Sequence, residues 1–226
     1  MNTTETETET ETETETETER RILARPKSKT NWIYEQFFLV NPKNGELLKC
    51  DAAIEHDFIL SCFFDSNIIF IKTELKSVKV DCQDTRYTCD ILVGYKNKKL
   101  VYIECKSSRE MTSPKKKTKF ENLTKEYESF ESSYRVVTGE EIRKGYLINN
   151  YKRLYNFLNY PTPSSQIIDL VCGIVKARLN ITFAELLTQI KKYHLNNREI
   201  WYCLAHNYLK TDLEKYITPS SVIWSE

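Results

Sequence analysis

The sequence predicts an α/β fold, with a mixed sheet flanked by helices and a small helical unit at the C-terminal end. Three features support this prediction. Apolar runs of strand length, in "RYTCDILVGY" and "KLVYIECKSS", alternate with segments that have the apolar spacing of helices. Hydrophobic residues make up 40% of the 226 residues, enough for a sizeable core. Two prolines, Pro161 and Pro163, follow a long helical segment and predict a boundary there.

The N-terminal 29 residues are predicted to lie outside the folded part of the chain. Residues 1–19 form a Glu-Thr tract without apolar side chains, and such a segment is expected to be disordered. It would act either as an electrostatic mask over a DNA-binding face or as a plain solubilising tail. The basic arm that follows, "RRILARPKSKT", suits contacts with phosphates.

The charge distribution favours a polyanionic partner. The net charge is +1, but eight of the 32 acidic residues lie in the Glu-Thr tract. The rest of the chain therefore has 33 basic residues against 24 acidic ones. A basic body of this kind suits nucleic acid, and solubility alone is the other explanation.

The first folded domain is expected over residues 30–160. It begins with a strand, a turn and a strand in "WIYEQFFLVNPKNGELLKCD". The apolar spacing of "DAAIEHDFILSCFFD" predicts a helix with Asp51 as its N-cap. Strands are then predicted in "NIIFIKTEL" and "KSVKVDC", followed by the two strands quoted above, which are joined by a "KNKK" turn.

The second half of this domain is predicted to be mainly helical. A polar, lysine-rich segment precedes a helix through "FENLTKEYESFESSY". "YRVVTGEEI" predicts a strand that enters a helix at Thr138, with Glu141 at the spacing of a capping box. That helix is expected to continue through "GYLINNYKRLYNFLNY" up to the prolines.

The C-terminal domain is expected over residues 161–226. Two short amphipathic helices are predicted in "ITFAELLTQIKKYHL" and "NNREIWYCLAHNYL". A closing strand pair is predicted in "KYITPSSVIWSE". Two helices with a terminal strand pair indicate a winged-helix-like unit.

The chain is expected in the cytosol, with no membrane partner. No apolar run approaches the ~18–20 residues of a membrane span, and the N-terminus lacks the pattern of a secretory signal. The seven cysteines form no C-x-x-C pair, so reduced, buried thiols are predicted instead of a zinc site or disulfides.

Three charged residues stand out on the two joined strands: Asp90, Glu104 and Lys106. Residues i and i+2 of a strand share a face, so Glu104 and Lys106 project together, and Asp90 can reach the same face from the neighbouring strand. Unpaired carboxylates beside apolar runs such as "ILV" and "VYI" would be costly. A structural ion pair or a divalent cation would compensate them, and hard oxygen ligands of this kind suit Mg²⁺.

The pattern resembles the PD-(D/E)XK nuclease superfamily, in which an acid on a helix precedes a hairpin that carries an Asp and a (D/E)-x-Lys motif. Glu55 corresponds to the helical acid, Asp90 to the hairpin acid, and "ECK" to the final motif. Cys89 stands where a proline is frequent, but that proline is not a ligand. The resemblance implies a restriction-endonuclease-like fold for the first domain.

Within this superfamily the chain is similar to the TnsA-type transposon-end endonucleases. The similar segments are "AAIEHDFILSCFFDSNIIFI", "YRVVTGEEIRKGYLINNYKRLYNFL" and "AHNYLKTDLEKYITPSSVIW", within a resemblance that spans about residues 34–226. Two features depart from the family pattern. "IKTEL" stands where a Gln-Pro pair is common, and Glu104 stands where some members have Gln.

The resemblance implies a role for each site residue. Glu55, Asp90 and Glu104 would hold Mg²⁺, or Mn²⁺ as the alternative, with the Cys105 carbonyl as a further ligand. Lys106 would attend the attacking water, so the implied catalytic residues are Glu55, Asp90, Glu104 and Lys106. Contacts with DNA would come from polar and basic residues beyond the motif, and a solvated loop is the other interpretation of them: Ser107, Arg109, Lys115, Lys116, Lys117 and Lys119.

The function implied by the resemblance is a Mg²⁺-dependent endonuclease that cleaves double-stranded DNA at transposon ends. Its implied partners are a DDE transposase and an AAA+ ATPase regulator. Two alternatives are a stand-alone restriction-type or repair nuclease, and a non-catalytic DNA-binding subunit that keeps the fold.

Overall fold

The computed structural model describes residues 36–79, 86–129, 132–178 and 180–225. The predictions for the Glu-Thr tract and the basic arm therefore lie outside the described residues. Two compact units make up the described chain, each built from separate segments. The predicted boundary between residues 160 and 161 stays a prediction.

The first unit contains residues 36–37, 49–55 and 67–137 where they are described. Its helices and strands are β3 (Ile68–Lys72), β4 (Val78–Lys79), β5 (Arg86–Tyr87), β6 (Ile91–Tyr95), β7 (Leu100–Lys106), α2 (Ser108–Met111), α3 (Pro114–Ser129) and most of β8 (Ser133–Thr138). A mixed sheet has the strand order β3-β6-β7-β8, and helices flank it, so the predicted α/β class is confirmed.

The β6–β7 hairpin is the centre of this sheet, and the structure confirms both predicted strands. The two strands are antiparallel, with Ile91 opposite Ile103 and Gly94 opposite Leu100. Lys98 has a positive φ of 64°, and the Asn97 side chain accepts a hydrogen bond from the Lys99 amide. Short polar side chains of this kind stabilise a tight turn. The hairpin register decides which charged residues meet at its open end.

One face of the hairpin packs against α3 through a cluster of aromatic residues. Phe120, Leu123 and Tyr127 of α3 are buried in the same cluster as Tyr87 and Tyr134. Their spacing of three and four residues places them on one side of a helix.

The lysine-rich segment was predicted only as polar, with a solvated loop as one of its two interpretations, and the structure shows that it is helical. Helix α3 begins at Pro114, so the lysines at 115, 116, 117 and 119 lie in its first two turns. Proline suits the first helical position, and lysine is a good helix former. The apolar residues further along α3 anchor the whole helix to the sheet, including these turns.

The second unit contains residues 38–48, 56–66 and 138–225 where they are described. The helices and strands that lie wholly in it are α4 (Gly139–Ile142), α5 (Leu147–Leu158), α6 (Ser165–Lys176), β9 (Ile181–Thr182), α7 (Phe183–Lys191), α8 (Asn197–Ala205) and β10 (Val222–Ile223). The segments that reach both units are β1 (Phe37–Val40), β2 (Leu47–Cys50) and α1 (Ala53–Phe63). Helix α1 confirms the helix predicted over "DAAIEHDFILSCFFD".

The long helix predicted before the prolines is two helices, α4 and α5. Thr138 caps α4 as predicted, because its side chain accepts a hydrogen bond from the Glu141 amide. The break falls at Gly145, which has a positive φ of 53°. A Cβ atom there would lie 2.5 Å from the Glu214 carbonyl oxygen, so both the backbone angle and the close approach require glycine.

The C-terminal part contains one more helix than predicted and a different strand pair. Helix α6 was not predicted. Strand β10 pairs in an antiparallel manner with β9, and Trp224 makes a further bridge with Lys210. The predicted pair within "KYITPSSVIWSE" is thus one strand, and its partners come from earlier in the chain.

Asn150 of α5 is a fully buried polar residue that fixes the segment before β10. Its side-chain NH₂ group donates hydrogen bonds to the carbonyl oxygens of Leu213 (2.8 Å) and Lys215 (2.7 Å). Its side-chain oxygen accepts a hydrogen bond from the Ile217 amide at 3.2 Å. One side chain therefore forms hydrogen bonds with three backbone groups of this segment.

His206 gives a prediction for the pH dependence of stability. Burial lowers the pKa of His206, although a hydrogen bond with the Phe157 carbonyl opposes this effect. The folded pKa therefore lies below the unfolded value of about 6.5. The contribution of His206 to the free energy of unfolding is then complete above about pH 6.5, and it is lost as the pH drops below that value.

The measurement for this prediction is urea unfolding of the wild type and of His206→Gln at pH 7.5 and pH 5. The wild type should lose more free energy of unfolding between these two values than the variant does. An equal loss in both proteins would contradict the prediction.

None of the helices in the described ranges is long and apolar enough to span a membrane. Six of the seven cysteines lie in these ranges, and all six are free thiols: Cys50, Cys62, Cys89, Cys105, Cys172 and Cys203.

Candidate active site

The open end of the β6–β7 hairpin brings Asp90, Glu104 and Lys106 together. The Lys106 ammonium lies 2.6 Å from Glu104 Oε1 and 3.5 Å from Asp90 Oδ2. It also donates a hydrogen bond to the Cys105 carbonyl oxygen at 3.1 Å. Because Ile91 is opposite Ile103, the next residue outward on each strand, Asp90 and Glu104, are also neighbours.

These side chains are largely removed from solvent. The exposed fraction is 7% for the Glu104 side chain, 12% for Asp90 and 23% for Lys106. The site thus contains two carboxylates and one ammonium group at the margin of the core. Charges in such surroundings interact more strongly than they would in water.

Asp90 is held in place by the backbone of the opposite strand. Its Oδ2 accepts a hydrogen bond from the Cys105 amide at 2.8 Å, and its own amide donates to the Ile103 carbonyl oxygen. These two bonds extend the hydrogen bonding between β6 and β7 beyond the last paired residues, Ile91 and Ile103. They fix the direction in which the carboxylate points.

Glu55, the predicted helical acid, belongs to the same unit as the other three residues. Burial raises the pKa of the Glu55 carboxyl, and the negative charge of Asp90 raises it further, whereas Lys106 acts in the opposite direction. Among the described residues, however, the Glu55 carboxylate makes no hydrogen bond or ion pair with Asp90, Glu104 or Lys106. Its Oε2 accepts a hydrogen bond from the Asp51 amide at 2.9 Å.

Glu104 has one carboxylate oxygen that is paired with Lys106 and one that is not paired within the described ranges. Burial raises its pKa, and Asp90 adds to this effect, while Lys106 and the nearby Tyr87 hydroxyl oppose it. Glu104 Oε2 is buried and makes no hydrogen bond with any described residue. The Tyr87 hydroxyl makes its hydrogen bond with Tyr134, at 3.1 Å. An unpaired buried oxygen of this kind costs about 1–3 kcal/mol.

Lys106 carries a positive charge at neutral pH. Burial alone would lower its pKa, but Asp90 and Glu104 outweigh burial and the pKa is raised. A lysine with a raised pKa is a poor proton acceptor. Lys106 could therefore position a water molecule or stabilise negative charge, but it is unsuited to act as a general base.

The oxygen atoms of the site are of the chemical type that a hard divalent cation prefers. The oxygens that Lys106 contacts, those of Asp90, Glu104 and the Cys105 carbonyl, are three of the four ligands that the family resemblance assigns to a metal, and Glu55 is the fourth. The ammonium thus supplies the positive charge among these oxygens. In this arrangement the described residues contain no group of three or more His, Cys, Asp or Glu side chains placed to hold a metal ion. Glu104 Oε2 remains as an acceptor that a cation would satisfy.

Replacement of Lys106 by Met is predicted to increase the affinity of the site for Mn²⁺. The change removes the positive charge that competes for the same oxygens, and two carboxylates then lack a counter-ion. We expect a gain of about tenfold or more in affinity, equivalent to about 1.4 kcal/mol. Isothermal titration calorimetry measures the affinity, and thermal unfolding with and without Mn²⁺ checks that the variant folds.

Lys119→Met is the matched control, because the Lys119 ammonium lies over the Tyr87 ring and is not paired with a site carboxylate. Its affinity for Mn²⁺ should equal that of the wild type. Unchanged or weaker binding by Lys106→Met would refute the competition between ammonium and metal.

The residues predicted to contact DNA have different surroundings. Ser107 is the N-cap of α2 and forms a capping box with Glu110. Lys116 pairs with Glu110 at 2.8 Å. Lys115 and Lys117 are exposed, as is Arg109. Their role in DNA binding stays a prediction, and the three exposed side chains are the ones most accessible to a phosphate.

Two features near the charged residues were not predicted from the sequence. The Tyr87–Tyr134 pair beside Glu104 is one, and the only signal for it was the position of "RYTC" directly before Asp90. The other is the environment of Asp57. Burial alone would raise the pKa of Asp57, but hydrogen bonds from His56, Lys152 and Arg143 hold it well below its usual range.

Comparisons with known proteins assign no function to the chain, so the functional proposal is based on the site. No protein-family model matches the chain, and no curated protein matches it either. The resemblance to TnsA-type nucleases therefore depends on the motifs quoted above.

Proposed function

We propose that the protein is a Mg²⁺-dependent DNA endonuclease that cleaves phosphodiester bonds at transposon ends, as the TnsA-like subunit of a heteromeric transposase. One observation carries the proposal. At the end of the hairpin, Asp90, Glu104 and the Cys105 carbonyl surround a single positive charge within 3.5 Å. Oxygen atoms of this type gathered around one positive charge support a site for a hydrolytic metal ion that would take the place of the ammonium.

The residues of the site have distinct roles in this proposal. Glu55, Asp90, Glu104 and the Cys105 carbonyl would hold Mg²⁺, or Mn²⁺ in its place. When bound there, such an ion would polarise the scissile phosphate and lower the pKa of a coordinated water. Lys106 would hold the attacking water and stabilise the negative charge that develops on the phosphate.

DNA as the substrate is supported by the charge of the chain. Outside the Glu-Thr tract, basic residues outnumber acidic ones by 33 to 24. Lys115 and Lys117 extend from the first turns of α3, which follows the "ECK" strand closely in the chain. Positive charge near a hydrolytic site attracts the DNA backbone regardless of its sequence.

The finer fold assignments belong to the same proposal. A mixed sheet with a central hairpin and flanking helices is compatible with a restriction-endonuclease-like domain. The order α6, β9, α7, α8 and β10, with β9 paired to β10, is compatible with a winged-helix-like unit. Through such a unit the protein would engage the DDE transposase and the AAA+ regulator, in the cytosol.

Cleavage of plasmid DNA tests the proposal and separates it from its alternatives. Supercoiled plasmid that carries transposon ends is incubated with the protein in Mg²⁺ or in EDTA, with and without a DDE transposase. Mg²⁺-dependent cleavage only with the transposase supports the proposal. Cleavage by the protein alone supports a stand-alone nuclease. The absence of cleavage in both cases supports a non-catalytic subunit.

Deletion of residues 1–19 tests the two roles considered for the Glu-Thr tract. The deletion removes eight glutamates and should leave the free energy of unfolding unchanged. If the tract masks a DNA-binding face, the truncated protein binds duplex DNA more tightly at low salt, and the difference disappears at high salt. Fluorescence anisotropy at two salt concentrations measures this effect. Equal affinities at low salt would leave the tract as a solubilising tail.

A further inference from the structure

A second cluster of charges lies in the unit that contains most of the helices. Asp57 of α1 has a carboxylate that is only 5% exposed, and it is bound from two sides. Arg143, at the end of α4, donates from Nε to Asp57 Oδ2 at 2.7 Å. The Lys152 ammonium of α5 lies 2.9 Å from Asp57 Oδ1, and His56 Nδ1 lies 3.4 Å from the same oxygen.

The charges of this cluster do not balance. One carboxylate faces two permanent cations, and these two cations are far more exposed than the carboxylate, with 49% exposure for Arg143 and 52% for Lys152. A single cation would have been enough to neutralise Asp57. The second cation leaves a net positive charge on the outer side of the cluster, where an anion from outside the chain can approach.

Asp57 also sets the direction of both cations. The guanidinium binds Asp57 through Nε, and its two Nη groups make no hydrogen bond with any residue in the described ranges. Because the two cations bind the two oxygens of one carboxylate, their charged groups lie close enough to act on one anion together. A guanidinium fixed in this manner matches the oxygens of a phosphate, and an ammonium adds a point charge beside it.

We propose that Arg143 and Lys152, oriented by the buried Asp57, form a phosphate-binding clamp for the backbone of nucleic acid. This inference rests on the proposed function, since it names residues that would hold the DNA of the nuclease. The clamp contacts only the phosphates, so it fixes the position of the backbone without distinguishing base sequences. It differs from the lysine-rich turns of α3, whose residues come from another unit.

The salt dependence of DNA binding tests the clamp. Fluorescence anisotropy with a labelled duplex is measured in EDTA, so that no cleavage occurs, for the wild type, Arg143→Gln, Lys152→Gln and the double variant. Each single variant should reduce the slope of log K against log [salt] by about 0.9, the value for one phosphate contact. The double variant should bind about tenfold or more weakly at moderate salt.

Lys176→Gln is the matched control. Lys176 is an exposed lysine of α6 in the same unit, and its replacement changes the net charge by the same amount. Its affinity should stay within about twofold of the wild type, as expected for a charge that makes no direct contact. An equal effect of Lys176→Gln and Lys152→Gln would refute a specific clamp.

A footprint on the unmodified protein keeps the test valid even if a variant folds poorly. Lysine acetylation is measured by mass spectrometry with and without duplex DNA, and with inorganic phosphate in place of DNA. DNA should protect Lys152 and leave Lys176 reactive, whereas inorganic phosphate at the same phosphate concentration should protect neither. No protection of Lys152 by DNA would show that the cluster only braces the fold and would overturn the proposal. Equal protection by inorganic phosphate would indicate a site for free phosphate and would also overturn it.

This outcome is independent of the nuclease assay. A protein that binds DNA through Lys152 but never cleaves it would refute the proposed function and keep the clamp. A protein that cleaves DNA with Lys152 unprotected would refute the clamp alone.

Discussion

Asp90→Asn is expected to reduce Mg²⁺-dependent cleavage by about 10²–10³-fold, the usual cost of removing one group that stabilises a transition state. The change removes the negative charge of a carboxylate that lies 3.5 Å from Lys106 and that is proposed to bind the metal. It keeps a side-chain oxygen that can accept the hydrogen bond from the Cys105 amide. Folding should therefore be preserved, and the loss should fall on metal binding and catalysis.

The measurement is the rate of plasmid nicking under conditions in which the wild type is active, with thermal unfolding and duplex binding recorded for the same samples. Glu74→Gln is the control, because Glu74 is an exposed acid of the same unit that pairs with Lys49. It should cleave at the wild-type rate. Cleavage by Asp90→Asn at an undiminished rate would remove Asp90 from the site.

Asn150→Ala is expected to destabilise the protein by about 3 kcal/mol. Three hydrogen bonds of a fully buried side chain are lost, and the backbone groups of Leu213, Lys215 and Ile217 lose this partner. For a chain of this length, the loss corresponds to a decrease of roughly 10 °C in Tm. Differential scanning calorimetry measures the change.

Asn149→Ala provides the comparison, since Asn149 is an exposed residue of the same helix. It should change Tm by less than about 2 °C, as surface substitutions generally do. Equal stability of Asn150→Ala and Asn149→Ala would mean that the segment before β10 does not depend on Asn150. The backbone would then have found other partners.

The hairpin of the candidate site could be predicted from the sequence because its signals are local. Two short apolar runs separated by a polar turn define antiparallel strands, and the period of two residues places Glu104 and Lys106 on one face. The position of Asp90 beside Glu104 follows from the register of a short hairpin. The helix of Glu55 was predictable from its apolar spacing.

Other features could not be predicted because they depend on tertiary contacts. The lysine-rich turns became helical because Phe120 and Leu123 anchor α3 to the sheet. The break at Gly145 depends on the approach of the Glu214 carbonyl, which is distant in the chain. The pairing of β10 with β9 likewise joins segments about 40 residues apart.

The charge cluster around Asp57 also depends on tertiary contacts and could not be predicted from the sequence. Arg143 and Lys152 are common surface residues, and nothing in their spacing indicates a shared partner. Only the tertiary structure places the one buried carboxylate of Asp57 between them.

Anomalous diffraction from crystals soaked in Mn²⁺ tests the central claim most directly, because metal binding requires no partner protein. We predict one anomalous peak within about 2.5 Å of carboxylate oxygens from Asp90 and Glu104, with the Lys106 ammonium displaced from its contact with Glu104. The same soak of Asp90→Asn should give a much weaker peak. The absence of a peak at this hairpin, with Lys106 still bound to both carboxylates, would contradict the account and leave the three charges as a structural ion cluster.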